Sequence, residues 1–161
     1  MALTIAQQAT LKAAIAADGT LNAFPNTSDG AFAIAAALNL PSSPAFTVWK
    51  SNVSRTAVFN AFDGGEVESL TTAESNRLQV IAAFALEGVS PFRIDTRALF
   101  DGVFSGAGGT VTRPALLALW KRIATGGEEI FATGTGSDAD PATLDYEGSL
   151  SYQDVYQARN S

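Results

Sequence analysis

Two residue types are missing from the 161-residue chain: it contains no cysteine and no histidine. The first absence excludes disulfides, thiol nucleophiles and thiolate metal sites. The second removes the commonest general base and the commonest zinc ligand. Serine-based hydrolysis lacks its histidine, and neither G-x-S-x-G nor S-x-x-K occurs. Positive charge is also scarce, with 10 Lys and Arg against 16 Asp and Glu, a formal charge of −6 and a pI near 4.5. A general basic field for a phosphate backbone is therefore absent. Residues 30–49 form a twenty-residue stretch without charge. Asn39, Pro41, Ser42, Ser43 and Pro44 break it in the middle, so it reads as two helix ends joined by a turn rather than as a membrane span. No basic segment follows Met1, and a soluble chain without a secretory signal is expected.

What is present points to one helical core. Hydrophobic residues make up 47% of the chain, including 10 Phe, 2 Trp and 3 Tyr, and the length suits a single domain. Thr4 with Gln7 reads as a capping box that opens a helix over 5–17 with Ile5, Leu11 and Ile15 inward, stopped by Asp18-Gly19. A second helix is expected over about 29–38 with Phe32, Ala35, Ala36 and Leu38 on its apolar face. Trp49, Val53 and Ala57 recur at four-residue steps and predict a third helix over about 45–61. Thr71 with Glu74 opens a fourth over about 72–87, carrying Leu78, Ile81 and Ala85 and closed by Gly88. A fifth, capped by Asp95, carries Leu99 and Val103 as far as the glycine-rich stretch 105–109. A sixth starts at Thr112 and Pro114, with Leu116, Trp120 and Ile123 on one face and Lys121 and Arg122 at its end. Gly126 and Gly127 interrupt it.

Candidate chemistry is thin. Gly106-Ala107-Gly108-Gly109 lacks the Lys of a phosphate loop, and Gly106-Ala107-Gly108 and Gly134-Thr135-Gly136 each supply only half of a dinucleotide fingerprint, so both read as loops. Asp138 and Asp140 have the first spacing of a calcium loop, but Pro141 and Ala142 follow where ligands and glycine belong. The carboxylate pairs Glu66/Glu68 and Glu128/Glu129 adjoin glycine turns, where solvated charge is the ordinary explanation. Lys121 and Arg122 beside Trp120 are too few for a nucleic-acid stripe. No catalytic residue, cofactor site or metal site is assigned, and a non-enzymatic protein is expected.

The last thirty residues differ from the rest. From Ala132 to Ser161 there are five acids and one base, net −4, leaving −2 for residues 1–131. Leu144, Tyr146, Leu150 and Tyr152 alternate around Glu147-Gly148, which predicts a small β-hairpin or an extended acidic arm. With Val155 and Tyr156 they are sizeable apolar groups that a solvated tail does not need. They pack either on their own bundle or, as partner-binding anchors, on another chain. The expected architecture is mainly α, a single bundle of about five to six helices over 1–131 with an extended C-terminal arm or hairpin over 132–161.

Several blocks resemble a known family. Asn26-Thr27-Ser28-Asp29-Gly30-Ala31-Phe32-Ala33-Ile34-Ala35-Ala36, Pro44-Ala45-Phe46-Thr47-Val48-Trp49, Phe131-Ala132-Thr133-Gly134-Thr135-Gly136-Ser137-Asp138 and Tyr146-Glu147-Gly148-Ser149-Leu150-Ser151-Tyr152-Gln153-Asp154-Val155 look like small virion proteins encoded in tailed-bacteriophage structural modules. The likeness extends over about residues 2–158, with little of it in 63–112. A helical bundle with a C-terminal arm is similar to head-tail adaptor (head completion) proteins. The resemblance implies a ring, commonly of twelve copies, that sits at the virion neck beneath the portal protein, extends the DNA channel and meets a downstream tail or nozzle protein. It also implies assembly in the host cytoplasm, with no membrane and no cofactor. The arm would grip the portal or a neighbouring copy through Tyr146, Leu150 and Tyr152, and an acidic lumen would let DNA pass without specific binding. A tail-side ring protein (tail terminator or completion protein), commonly of six copies, and a non-virion phage binding protein are the alternatives.

Overall fold

The computed structural model describes residues 3–161. In chain order the elements are α1 (Ile5–Ala17), α2 (Gly19–Asn22), α3 (Ser28–Leu38), β1 (Thr47–Trp49), α4 (Arg55–Asn60), α5 (Gly64–Glu68), α6 (Thr72–Phe84) and α7 (Ile94–Asp101). A 3-10 turn (Gly106–Gly109), α8 (Thr112–Trp120), β2 (Lys121–Ile123), α9 (Gly126–Ile130), β3 (Ala132–Thr133), β4 (Thr143–Leu144) and α10 (Tyr152–Asn160) follow. The fold is mainly α with two small two-stranded sheets, β1 with β2 and β3 with β4.

The helices expected in a single bundle over 1–131 divide between two compact units, while the small hairpin expected as one form of the C-terminal segment is present as β3 and β4. Unit 1 runs up to Val48 and resumes at Ile123, and unit 2 is the insertion Trp49–Arg122. Each has its own core. In unit 1, Leu11 and Ile15 of α1, Ala31, Ile34, Ala35 and Leu38 of α3, and Val155 and Ala158 of α10 pack with Phe131 and Leu150. In unit 2, Val58, Ile81, Phe100, Phe104, Leu116 and Trp120 meet. The rings of Phe100 and Trp120 pack edge-on at 5.2 Å. Periodicity within single helices carries no information about which helices share a core, so the insertion is invisible along the chain.

The helix starts follow from side-chain chemistry. The capping boxes at Thr4/Gln7 and Thr71/Glu74 form as expected, and the same device opens α9 (Thr125/Glu128) and α10 (Ser151/Asp154). Five expectations need correction. α7 starts at Ile94 with Arg93 at the cap position, so Asp95 lies within its first turn and does not cap it, and Leu99 is exposed. Ile5 is 87% exposed because it sits in the first turn, off the stripe of Leu11 and Ile15. On α3 the buried face is Ala31, Ile34, Ala35 and Leu38, so Ala36 is exposed and Phe32 lies at the rim, stacked on Tyr152 with ring centroids 4.0 Å apart. The third helix over 45–61 shrinks to α4, because Thr47-Val48-Trp49 pairs as a strand and Ser54 caps a new start by accepting from the N–H of Ala57. The expected sixth helix ends at Trp120. Its backbone then extends into β2, leaving Ile123 off the buried face of Leu116 and Trp120.

Candidate functional site

The C-terminal residues come first. Phe131, which ends α9, leads into β3. Ala132 faces Leu144 and Thr133 faces Thr143 across the antiparallel pair β3/β4, so the hairpin turns through 134–142 and not at Glu147-Gly148. The following segment is a helix. Ser151 accepts from the N–H of Asp154, whose carboxylate accepts from the Ser151 N–H at 2.9 Å. The resulting α10 lies on α1 and α3 within unit 1, with Val155 fully buried and Leu150 2% exposed. Residues 132–161 therefore do not form an extended arm. Tyr152, Val155 and Ala158 recur at helical steps, and burying that stripe in the core of unit 1 outweighs the period-two alternation further upstream.

The six residues named as anchors separate into three kinds. Leu150 and Val155 are core. The side-chain amide of Asn39 holds the Leu150 backbone at both ends, donating to its C=O at 2.9 Å and accepting from its N–H at 2.8 Å. Leu144 packs beside the small cluster of Val48, Ala124 and Ala142. Tyr146 packs on Phe131 at 5.3 Å and donates its hydroxyl to the Ser149 carbonyl at 2.8 Å. Burial, then the carboxylates of Asp154 and Glu128, push its phenol above the ordinary value, so it stays a donor. Tyr152 is half-buried on Phe32, and Tyr156 alone among the six is exposed, at 42%.

The carboxylates read as solvated charge also need correction. Glu66 and Glu128 are buried while Glu68 and Glu129 are exposed. Glu128 accepts from the N–H groups of Thr125 and Gly148, both at 3.0 Å, closing the capping box and holding the segment before Leu150. One oxygen of Glu66 accepts from the Thr110 hydroxyl at 3.0 Å and the Val111 N–H at 2.8 Å, and the other from the Thr112 N–H at 2.9 Å. Desolvation pushes the Glu66 carboxyl up, but donation from Thr112, Val111 and Thr110 outweighs it and holds the pKa at about 2. This carboxylate latches the glycine-rich turn onto α5. It is too fully occupied to act as an acid or base. Among the described residues, no group of three or more Asp or Glu is placed to hold a metal ion, and Asp138 and Asp140 sit in an exposed loop. No helix there is long and apolar enough to cross a membrane.

The feature best suited to recognition lies in unit 2. An open groove of about 450 Å³ runs beside α6 and α7, floored by Ile81, Val89 and Phe100 and walled by Val80, Phe84 and Leu99, with Arg77 among its few polar residues. That volume falls within the usual range of ligand and peptide grooves. Phe84 at its lip is 85% exposed. Of the thirteen large apolar side chains exposed among the described residues, six lie between Val80 and Leu99. Three of these, Val80, Phe84 and Leu99, line the groove itself, and such a cluster marks an interaction surface rather than scattered exposure. Val53 and Val89 exchange two backbone hydrogen bonds at 2.8 Å beneath it, and Arg77 donates to the Gly102 carbonyl at 3.1 Å, tying α6 to the end of α7. Gly88, at φ +129°, permits the tight exit from α6, since a Cβ there would meet the Val53 carbonyl at 2.8 Å. The groove was not singled out from the sequence, although a signal exists. Residues 78–86 contain one polar side chain, Gln79, so α6 ends apolar on every face and only one of those faces can meet the core.

Basic residues gather on the same unit. The guanidinium of Arg97 stacks on the Trp49 ring at 4.3 Å with the Lys121 ammonium at 6.0 Å, and Arg97 donates to the carbonyls of Pro91 and Phe92. No protein-family model, curated protein or solved structure matches the chain.

Proposed function

We propose that the protein is a non-enzymatic assembly component of a tailed-phage virion, a head-tail adaptor that forms a ring under the portal protein and extends the DNA channel. The observation that carries the reading is the apolar groove of unit 2 with the solvent-facing Phe84. An exposed apolar face is the working part of a protein that acts by association. The resemblance of four blocks to virion proteins supplies the setting, and they fall on α3, β1, β3 and α10, all in or bordering unit 1. The net charge of −6 suits a wall past which DNA slides without sticking. In this reading the docking surface is the unit 2 face, since the C-terminal segment is taken up by its own core.

Deleting residues 132–161 would remove α10 from unit 1 and report only on folding, so the sharper test is Phe84→Asp. The side chain is solvent-facing and its loss leaves the core intact. Co-expression with the portal protein, with particle masses read by mass photometry, should give a portal complex carrying a ring for the natural chain and a large loss of complex for the variant. A chain that never joins portal and is missing from purified virions would refute the proposal and favour a non-virion binding protein. A six-copy ring on isolated tails would place it on the tail side instead.

A further inference from the structure

The groove of unit 2 has polar ends and an apolar middle. Arg77, in the second turn of α6, donates to the carbonyl of Gly102 just past α7, so the start of α6 lies at the end of α7. Asn76 and Arg77 lie towards one end of the groove, and Ser90 and Thr96 towards the other. Between them Val80 and Phe84 stand one helical step apart on α6, with Leu99 on α7. From Asn76 to Ala85 the chain rises about 14 Å along α6. Among the described residues, Arg77 is the only charged one in the lining, and it interacts electrostatically with Glu74 three residues before it. The groove therefore presents no free charge.

We infer that this groove takes an amphipathic helix of a different protein, one whose contacting stripe is apolar and uncharged at i, i+4 and i+7. Such a stripe spans about 10 Å and fits within the apolar middle. Four considerations select that occupant. A charged stripe would lose its water against Val80, Ile81 and Phe84 with no partner charge in return, because Arg77 is already engaged. An extended strand needs a free backbone edge to pair with, and the walls here are helices, whose backbone bonds close internally. A small apolar ligand needs a site that buries most of its surface, whereas this groove is open and covers one face only. A second copy has no helix to offer, since the stripes of α1, α3, α8 and α10 are buried in their own cores. Groove set against groove would match concave with concave, and the exposed parts of Val80, Phe84 and Leu99 fall far short of the about 800 Å² per partner of a stable dimer. A helix of another protein meets all four conditions and covers Phe84 and Leu99. This inference rests on the docking role given to the unit 2 face and names what the partner presents there.

The test uses the full chain, with yeast-displayed random peptides of about sixteen residues, enough for four helical turns, as the probe. Selection on the natural chain is paired with counter-selection on Phe84→Asp, and far-UV dichroism and tryptophan emission establish that the variants are folded. Enriched peptides should carry apolar residues at i, i+4 and i+7, with charge confined to the other face. A synthetic copy of the most enriched peptide should gain helical dichroism on binding. Its affinity, read by fluorescence anisotropy, should fall about tenfold or more in Phe84→Asp and in Leu99→Asp, while Ile5→Asp on unit 1 leaves it unchanged. The inference is overturned if no peptide is enriched over the counter-selection, or if the enriched ones show period-two or charged patterns. A natural chain that sediments as a dimer, with Phe84→Asp a monomer, overturns it as well, because a second copy then fills the groove. The two ideas fail separately. Portal binding by a chain that selects no helix sinks this inference and leaves the adaptor reading standing, whereas helix binding by a chain absent from virions does the reverse.

Discussion

Replacing Gly30 by alanine reverses the usual rule for a glycine in a helix. Gly30 lies in the first turn of α3, where its N–H donates to the Thr27 hydroxyl at 3.2 Å. In an unobstructed helix, Gly→Ala is stabilising by up to about 1 kcal/mol. Here an added Cβ would stand 1.9 Å from the Pro25 carbonyl oxygen and 3.0 Å from its carbon, atoms that cannot rotate aside as a side chain could. Overpacking of this kind costs about 1–3 kcal/mol. Relief requires the carbonyl to move, and that carbonyl accepts from the Thr27 N–H at 2.9 Å and from Arg159 of α10 at 3.1 Å. Loosening two such bonds adds about 1 kcal/mol or more. The balance is a net loss of about 2 kcal/mol, confined to unit 1. Both tryptophans, Trp49 and Trp120, belong to unit 2, and all three tyrosines belong to unit 1. Urea unfolding should therefore move the midpoint of the tyrosine signal and of the far-UV dichroism while the tryptophan emission stays near its original midpoint. Gly19→Ala, where a Cβ meets nothing within 4 Å, is the control and should be neutral or mildly stabilising. An unchanged or raised tyrosine midpoint in Gly30→Ala would refute the steric reasoning.

Other perturbations address the remaining assignments. The Glu66 carboxyl is held at about 2, below its ordinary 4.5, so its contribution is fully present above pH 4.5 and is lost as the pH falls towards 2. The urea midpoint of tryptophan emission should decline through that window in the natural chain and decline less in Glu66→Gln, and equal slopes would show that the latch does not matter. Leu150→Ala removes a core side chain and should destabilise unit 1 by about 2–5 kcal/mol, read as a lowered tyrosine midpoint. Asn39→Ala strands the Leu150 N–H and C=O and should cost about 1–3 kcal/mol, with the double variant less than additive because the two residues touch. A Leu150→Ala chain as stable as the natural one would mean that the C-terminal segment contributes nothing to the core of unit 1.

Local chemistry was legible in the chain; long-range partnership was not. The capping boxes at Thr4 and Thr71 and the buried stripes Leu11/Ile15 and Leu116/Trp120 follow from short spacings, because a helix start needs only an oxygen at the first N–H groups and a helix face repeats every three or four residues. The helix α10 was equally legible, for Ser151 stands three residues before Asp154, but alternation in the preceding segment drew the reading towards an arm. Glu66 could not be read at all. Its donors are more than forty residues away in sequence, and a carboxylate beside glycines looks alike whether water or three protein donors surround it.

By itself the sequence determined the mainly helical class, the absence of thiol and imidazole chemistry, and the acidic balance, since these depend on composition and on neighbours within a turn. Only the tertiary structure decided that residues 49–122 form a unit of their own and that the tail folds home. It also decided that the spare apolar face lies on α6 and α7 and that eight of the ten basic residues fall on one unit. Those outcomes depend on which distant stripes bury one another, and the free energy of burial has no address along the chain.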